Sequence, residues 1–236
     1  MNTALTAFLK SRLERGVFTG FPLTIFGALF LILLLTFLGI TESIVNSLPI
    51  VKFDESFAQS LYHLRSPAAA QFLYTVTHAA DQITIIVFAI FSVTYLYFKK
   101  ELAYLYAILI TCLGTEACVY VIKILINRPR PIADIAYYIE NSASFPSGHA
   151  SIAIAFYGFI TYYIMTHVPG KGMKATALVL GVLLVVLIGF SRLYLGVHYL
   201  SDVLGGFLIG GLWLIIGIIV RERHFYSASI EKGQAI

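Results

Sequence analysis

The sequence predicts an all-α, polytopic membrane protein: six transmembrane helices in a bundle, with an interfacial helix in the first extracytoplasmic connection. Two observations predict it. Of 236 residues, 59% are hydrophobic and only 12% charged, about half the charged share of a water-soluble domain, and the mean hydropathy is +0.86. Several apolar runs also approach the ~20 residues a helix needs to cross a ~30 Å hydrocarbon core. A helix satisfies its backbone amides within its own segment, as lipid demands.

The first span is placed at about residues 21–40. Its apolar run is longer than the core of a secretory signal and no small-residue cleavage pattern follows, so it is read as retained. Next comes VKFDESFAQSLYHLRSPAAAQFLYTVTHAAD, in which Phe57, Leu61 and Leu64 recur at helical spacing. A helix lying on the outer membrane surface, packed above the bundle, accounts for it. Five further spans follow at about 82–98, 102–126, 149–166, 174–190 and 202–220. In the last, Gly206 and Gly210 form a G-x-x-x-G pair that lets helix backbones approach closely. No internal repeat divides the chain, and residues 1–236 read as a single membrane-embedded domain. Cys112 and Cys118 share one apolar run at a spacing that suits neither a metal knuckle nor a disulfide framework, which leaves buried free thiols.

Lysine and arginine set the orientation. With these spans, ten of the 16 basic residues (Lys10, Arg12, Arg15, Lys99, Lys100, Lys171, Lys174, Arg221, Arg223 and Lys232) lie on one face. Lys52, Arg65, Lys123, Arg128, Arg130 and Arg192 lie on the other. Both termini are therefore expected in the cytoplasm. The net charge of +4 comes from short clusters between apolar runs rather than from a basic tract with interleaved aromatics, which excludes a nucleic-acid partner.

Three polar clusters fall on the extracytoplasmic face although they are far apart in sequence: KILINRPRP, FPSGHAS and SRLYLGVHYLSD. A lysine or arginine near an apolar span usually snorkels to the interface, and that suffices for Lys123 or Arg128 alone. It does not explain why Lys123, Arg130 and Arg192 converge with so few acids nearby. Three convergent cations imply an anion, and phosphate fits the guanidinium fork. Pro129 and Pro131 end the third span and restrict the backbone around Arg130. In the second cluster Ser147 is placed to cap the fourth span, and Gly148 lets the backbone come close to a ligand held by free N–H groups. Pro146 pre-sets the turn, and His149 adds an imidazole that exchanges protons near neutral pH. In the third, His198 and Asp202 are four apart and share a face once the helix has begun. The carboxylate then holds the Nδ1 proton and leaves Nε2 to attack.

Zinc is the rival ligand for His149, His198 and Asp202. Three cations would repel it and already supply the charge that neutralises phosphate, so neither a metal nor another cofactor is expected. Glu116, one face up the third span, is read as structural, and His78 and Asp81 as ordinary interfacial polar residues.

Together the clusters read K-x6-R-P, P-S-G-H and S-R-x5-H-x3-D. They resemble the signature of the type 2 phosphatidic acid phosphatase superfamily, with Lys123, Arg130, Pro131, Pro146, Ser147, Gly148, His149, Ser191, Arg192, His198 and Asp202 all in place. The resemblance implies metal-independent phosphoryl transfer in two steps. His198 is the nucleophile, His149 the proton donor and then the base, and Asp202 the residue that orients His198. Lys123, Arg130, Ser147, Gly148 and Arg192 hold the phosphate oxygens. The implied substrates are membrane lipid phosphates or pyrophosphates: undecaprenyl pyrophosphate, phosphatidylglycerophosphate, phosphatidate or diacylglycerol pyrophosphate. A non-catalytic lipid-phosphate binding or transport protein is the alternative, although binding would need the cations and not an aligned His198 and Asp202. Which lipid is preferred, and the oligomeric state, leave no mark in the sequence.

Overall fold

The computed structural model describes Phe18 and residues 20–47 and 49–231. Among these residues the regular structure is all helical. The helices are α1 (Phe21–Val45), α2 (Pro49–His63), α3 (Pro67–Thr77, continued by a 3₁₀ turn at His78–Ala80), α4 (Gln82–Phe98) and α5 (Leu102–Ile126). Then come α6 (148–167), α7 (Lys171–Tyr194) and α8 (Leu200–Glu231).

Among the described residues α1, α5, α7 and Leu200–Tyr226 of α8 are each long and apolar enough to cross a membrane unbroken. The span expected at 82–98 reaches that length only as a bent pair, Pro67–Ala80 with Gln82–Phe98, angled by 44°. The span expected at 149–166 is interrupted by a π turn, Ala153–Tyr157, between Gly148–Ile152 and Gly158–His167. The connection read as one helix holds two. Phe57 and Leu61 on α2 pack with Ala150, Leu193 and Val203, at the ends of three other helices, whereas Leu64 lies past the end of α2 and is 74% exposed. Ser66 caps α3 by accepting the Ala69 N–H at 3.3 Å, and Pro67 follows at the first helical position, where a missing N–H costs nothing.

The apolar window of α8 is 50% buried, against 6% for α1, so α8 is the central post and α1 an outer one. α8 packs against α5, α1 and α6. The close approach expected of Gly206 and Gly210 is to α6. A Cβ added at Gly206 would stand 2.6 Å from the Ser147 carbonyl oxygen and 3.0 Å from the Ala150 Cβ. One added at Gly210 would collide with the Ser151 carbonyl oxygen and the Ile154 side chain. Overpacking of this kind costs about 1–3 kcal/mol. Gly210→Ala is therefore expected to lower the temperature at which the detergent-solubilised protein unfolds, and an unchanged midpoint would show that the contact tolerates a methyl group. Cys112 and Cys118 are free and partly buried.

Candidate active site

The ends of α5 and α7, the starts of α6 and α8 and the bend between α3 and α4 meet at one end of the bundle. Local sequence chemistry sets each of these ends. α5 stops at Asn127, which takes the left-handed conformation (φ 43°); the residues before Pro129 and Pro131, Arg128 and Arg130, are then kept out of the helical region. α7 stops in a Schellman motif: the Gly196 N–H bonds the Leu193 carbonyl at 3.0 Å and the Val197 N–H bonds the Arg192 carbonyl at 3.2 Å, with Gly196 at φ 68°. That turn delivers Arg192 from one side and His198 from the other.

His198 precedes α8, so its alignment with Asp202 does not come from a common helix face. It comes from a cap. The Asp202 Oδ2 reaches back to accept the Tyr199 N–H at 2.8 Å, as the acidic member of a capping box does. This leaves Oδ2 3.5 Å from His198 Nδ1. Ser144 Oγ donates to the same oxygen at 2.5 Å and lies 3.4 Å from His198 Nδ1. The other oxygen, Oδ1, accepts from Arg128 Nη1 at 2.7 Å. The opposite side of the ring, Nε2, faces Arg130 Nη1 at 3.2 Å. His198 is 1% exposed. Burial first, and then Arg130 and Arg192, hold its imidazole well below the ordinary range, so it is neutral.

Arg130 and Arg192 are brought together as expected, and a carboxylate already bridges them. Glu140 Oε2 stands 2.6 Å from Arg130 Nη2, and its Oε1 pairs with Arg192 Nη2. Burial pushes the Glu140 carboxyl up, but Arg192 and the neighbouring charges outweigh it and hold it down to about 2. Arg130 also donates to the Ser142 and Val197 carbonyls, at 2.7 Å each. Arg192, fully buried, donates to Thr77 Oγ1 at 2.8 Å and to the Tyr138 hydroxyl, while its Nε has no partner among the described residues. Lys123 Nζ donates to the Ala143 carbonyl. A cleft of about 160 Å³ beside Arg130 and Glu140 is lined by Tyr138, Ile139 and Val197.

Ser147 caps α6, its Oγ accepting the Ala150 N–H at 3.5 Å. Its own N–H is engaged by the Asp202 carbonyl at 2.9 Å. The first amides free of intrahelical partners on the site side are thus those of Gly148 and His149. His149 turns its Nε2 to Asp81 Oδ1 at 2.8 Å.

Sequence reasoning missed several of these residues. Arg128, for which snorkelling sufficed, is 6% exposed and sits in a buried network: Nη2 to Asp54 Oδ2 at 2.8 Å, Nη1 to Ser201 Oγ at 2.7 Å. Its signal was the proline that follows it, the same one-residue context that singled out Arg130. Asp54 on α2 carried no signal, because its partner lies 74 residues away. Glu140 and Ser144 were equally silent. Asp81, read as an ordinary polar residue, bonds a histidine of the signature. Glu116, seven residues before Lys123 on α5, is exposed.

Residues 100–226 match the PAP2 superfamily. Phosphatidylglycerophosphatase B of Bacillus subtilis (strain 168) is 34% identical over 199 residues, covering 81% of this chain and 96% of that protein. A crystal structure of a transmembrane PAP2-type phosphatidylglycerolphosphate phosphatase from Bacillus subtilis superposes with a TM-score of 0.76 at 28% identity, covering 82% of this chain and 96% of that one. The crystal structure of Aquifex aeolicus LpxE superposes with a TM-score of 0.55 at 25% identity, covering 71% of this chain and 94% of that one. The match spans more than half of the chain and takes in all three polar clusters, so the chain belongs to the PAP2 superfamily.

Proposed function

We propose that this enzyme removes phosphate from a membrane lipid phosphate or pyrophosphate through a phosphohistidine at His198, without a metal. The observation that carries this reading is the Glu140 carboxylate, held by Arg130 and Arg192 beside the attacking nitrogen of a neutral, buried histidine. The site is already an anion site with a nucleophile at its edge. Substrate phosphate takes the place of Glu140 between the two guanidinium groups, and Lys123 and the amides of Gly148 and His149 hold its remaining oxygens.

His198 Nε2 then attacks phosphorus in line while Asp202 stabilises the imidazolium that forms. The leaving oxygen takes a proton from His149. In the second step His149 removes a proton from water, the hydroxide bonds to phosphorus, and inorganic phosphate leaves with His198 restored. Preorganised cations do the work of charge stabilisation, which makes a divalent ion redundant.

In the bilayer the chain makes six crossings: α1, the bent α3–α4 pair, α5, α6, α7 and α8. Both termini are cytoplasmic, and the site opens on the extracytoplasmic face, where a lipid headgroup reaches the arginines while its tail stays in hydrocarbon. The ten-to-six division of basic residues supports this orientation. Candidate substrates are phosphatidylglycerophosphate, in keeping with the Bacillus relative, phosphatidate, diacylglycerol pyrophosphate and undecaprenyl pyrophosphate, whose carrier is recycled on an outward face. Phosphate release across these four lipids in detergent ranks them, and absence of turnover on all four would end the enzymatic reading.

Glu140 gives a sharper test. Because its carboxylate competes for the arginines, Glu140→Gln is expected to tighten inhibition by vanadate about tenfold, the resident anion having been removed. An unchanged inhibition constant would show that Glu140 does not stand in the phosphate position.

A further inference from the structure

His198 has its orienting carboxylate in the family signature, and His149 has none there. We propose that Asp81 is the positioning residue of His149. It forms a second histidine–carboxylate pair that fixes the proton of Nε2 and so presents Nδ1 to the lipid oxygen. The proposal rests on the proton role given to His149 above.

An aspartate immediately before a helix ordinarily caps it. Asp81 immediately precedes α4, yet its side chain makes no capping bond. One oxygen instead accepts from His149 Nε2 at 2.8 Å, 68 residues along the chain. The other lies 3.8 Å from His78 Nε2, and His78 is itself fixed by donating from Nδ1 to the Tyr74 carbonyl at 2.6 Å. The bend between α3 and α4 is what aims Asp81 at the start of α6. Tyr157, on the π turn of α6, donates to the Ala79 carbonyl at 2.6 Å and ties the two elements together on the same side. The carboxylate is thus held from both flanks and lies 38% exposed, at the rim of the site.

The chemistry follows from which nitrogen is occupied. With Nε2–H committed to Asp81, only Nδ1 is free to exchange protons. As the phosphorus–oxygen bond to the lipid breaks and the bond to His198 Nε2 forms, the Nδ1 proton passes to the departing oxygen. In the second step water returns a proton to Nδ1, its oxygen bonds to phosphorus, and the phosphorus–nitrogen pair reverts to His198. His149 thus alternates between the imidazolium, which gives up the Nδ1 proton, and one neutral tautomer, its Nε2 proton bonded to Asp81 throughout.

A positioning role for proton transfer separates substrates by leaving group, which a purely structural role does not. Short-chain phosphatidate expels a poor alkoxide and needs the proton; p-nitrophenyl phosphate expels a good leaving group and does not. For Asp81→Ala we expect kcat/KM to fall on the order of 10²-fold with phosphatidate and only a few-fold with p-nitrophenyl phosphate. Asp81→Asn, which keeps an acceptor in place, should show the same split in smaller measure and serves if the alanine variant does not fold. Equal losses on both substrates in the Asp81 variants, with a clear split in His149→Ala, would overturn the proposal. No split in His149→Ala would bring down the proton role of His149 itself, and the proposal with it.

Discussion

Replacing His198 by alanine should abolish turnover, lowering kcat by on the order of 10⁴-fold or more, and should remove any acid-labile phosphoenzyme trapped from a radiolabelled substrate. Alanine takes away the imidazole nitrogen that stands beside the arginine-lined anion position, Nε2 at 3.2 Å from Arg130. Attack by His198 requires a neutral ring, and burial together with Arg130 and Arg192 keeps its value well below 6.5. The group loses its proton at a lower pH than a free imidazole, so the acidic limb of kcat/KM belongs below pH 6.5 rather than at it. Near-normal activity in His198→Ala would refute the nucleophile assignment. An acidic limb above 6.5 would refute the electrostatic picture.

Truncating Arg128 should have the largest effect on stability. Its guanidinium is the shared cation of two buried carboxylates, Asp54 at 2.8 Å and Asp202 at 2.7 Å, and it packs over the Tyr199 ring at 4.5 Å. Arg128→Ala strands both carboxylates, and breaking a buried pair by removing one partner costs about 3–5 kcal/mol. That is a large part of the ~5–15 kcal/mol by which a typical protein is stable. The variant should therefore fail to accumulate, or unfold at a much lower temperature. Replacing one pair, Arg128→Met with Asp54→Leu, removes one of the two stranded charges and should recover part of the lost stability. Turnover should stay depressed, because Asp202 has lost the anchor of its Oδ1. A stable Arg128→Ala with normal kcat would show that the network is ornamental.

The helices and most of the site were legible because both leave local marks. Apolar runs of membrane length marked the spans, and Lys123, Arg130, His149, Arg192, His198 and Asp202 stood at fixed spacings. What escaped was interaction between distant segments. Ser144 and Glu140 sit in stretches with no periodicity, Asp54 is a polar residue on a helix whose apolar positions alone made the pattern, and each acquires its role from a partner brought close only by folding. The bend at Asp81 and the π turn at 153–157 escaped for another reason: both interrupt runs whose composition reads as ordinary span. The basis on which His198 and Asp202 were paired also changed. A shared helix face was expected, and a capping contact from Asp202 to the Tyr199 amide does the alignment.

One line along α8 carries a consequence for the whole candidate site. The Asp202 carbonyl holds the Ser147 amide, Gly206 abuts the Ser147 carbonyl and Ala150, and Gly210 abuts Ser151 and Ile154. These three positions are four residues apart, so they follow one another along a single helix face over about 12 Å. α8 is a ruler against which α6 is indexed. His198 is set from the first mark on that ruler and His149 from the contacts beside it, so the two histidines share one datum. The outer helix α1, only 6% buried in its apolar window, bears no mark. Its lipid-facing side is free to change with the tail of the substrate while the distance between the two histidines stays as it is.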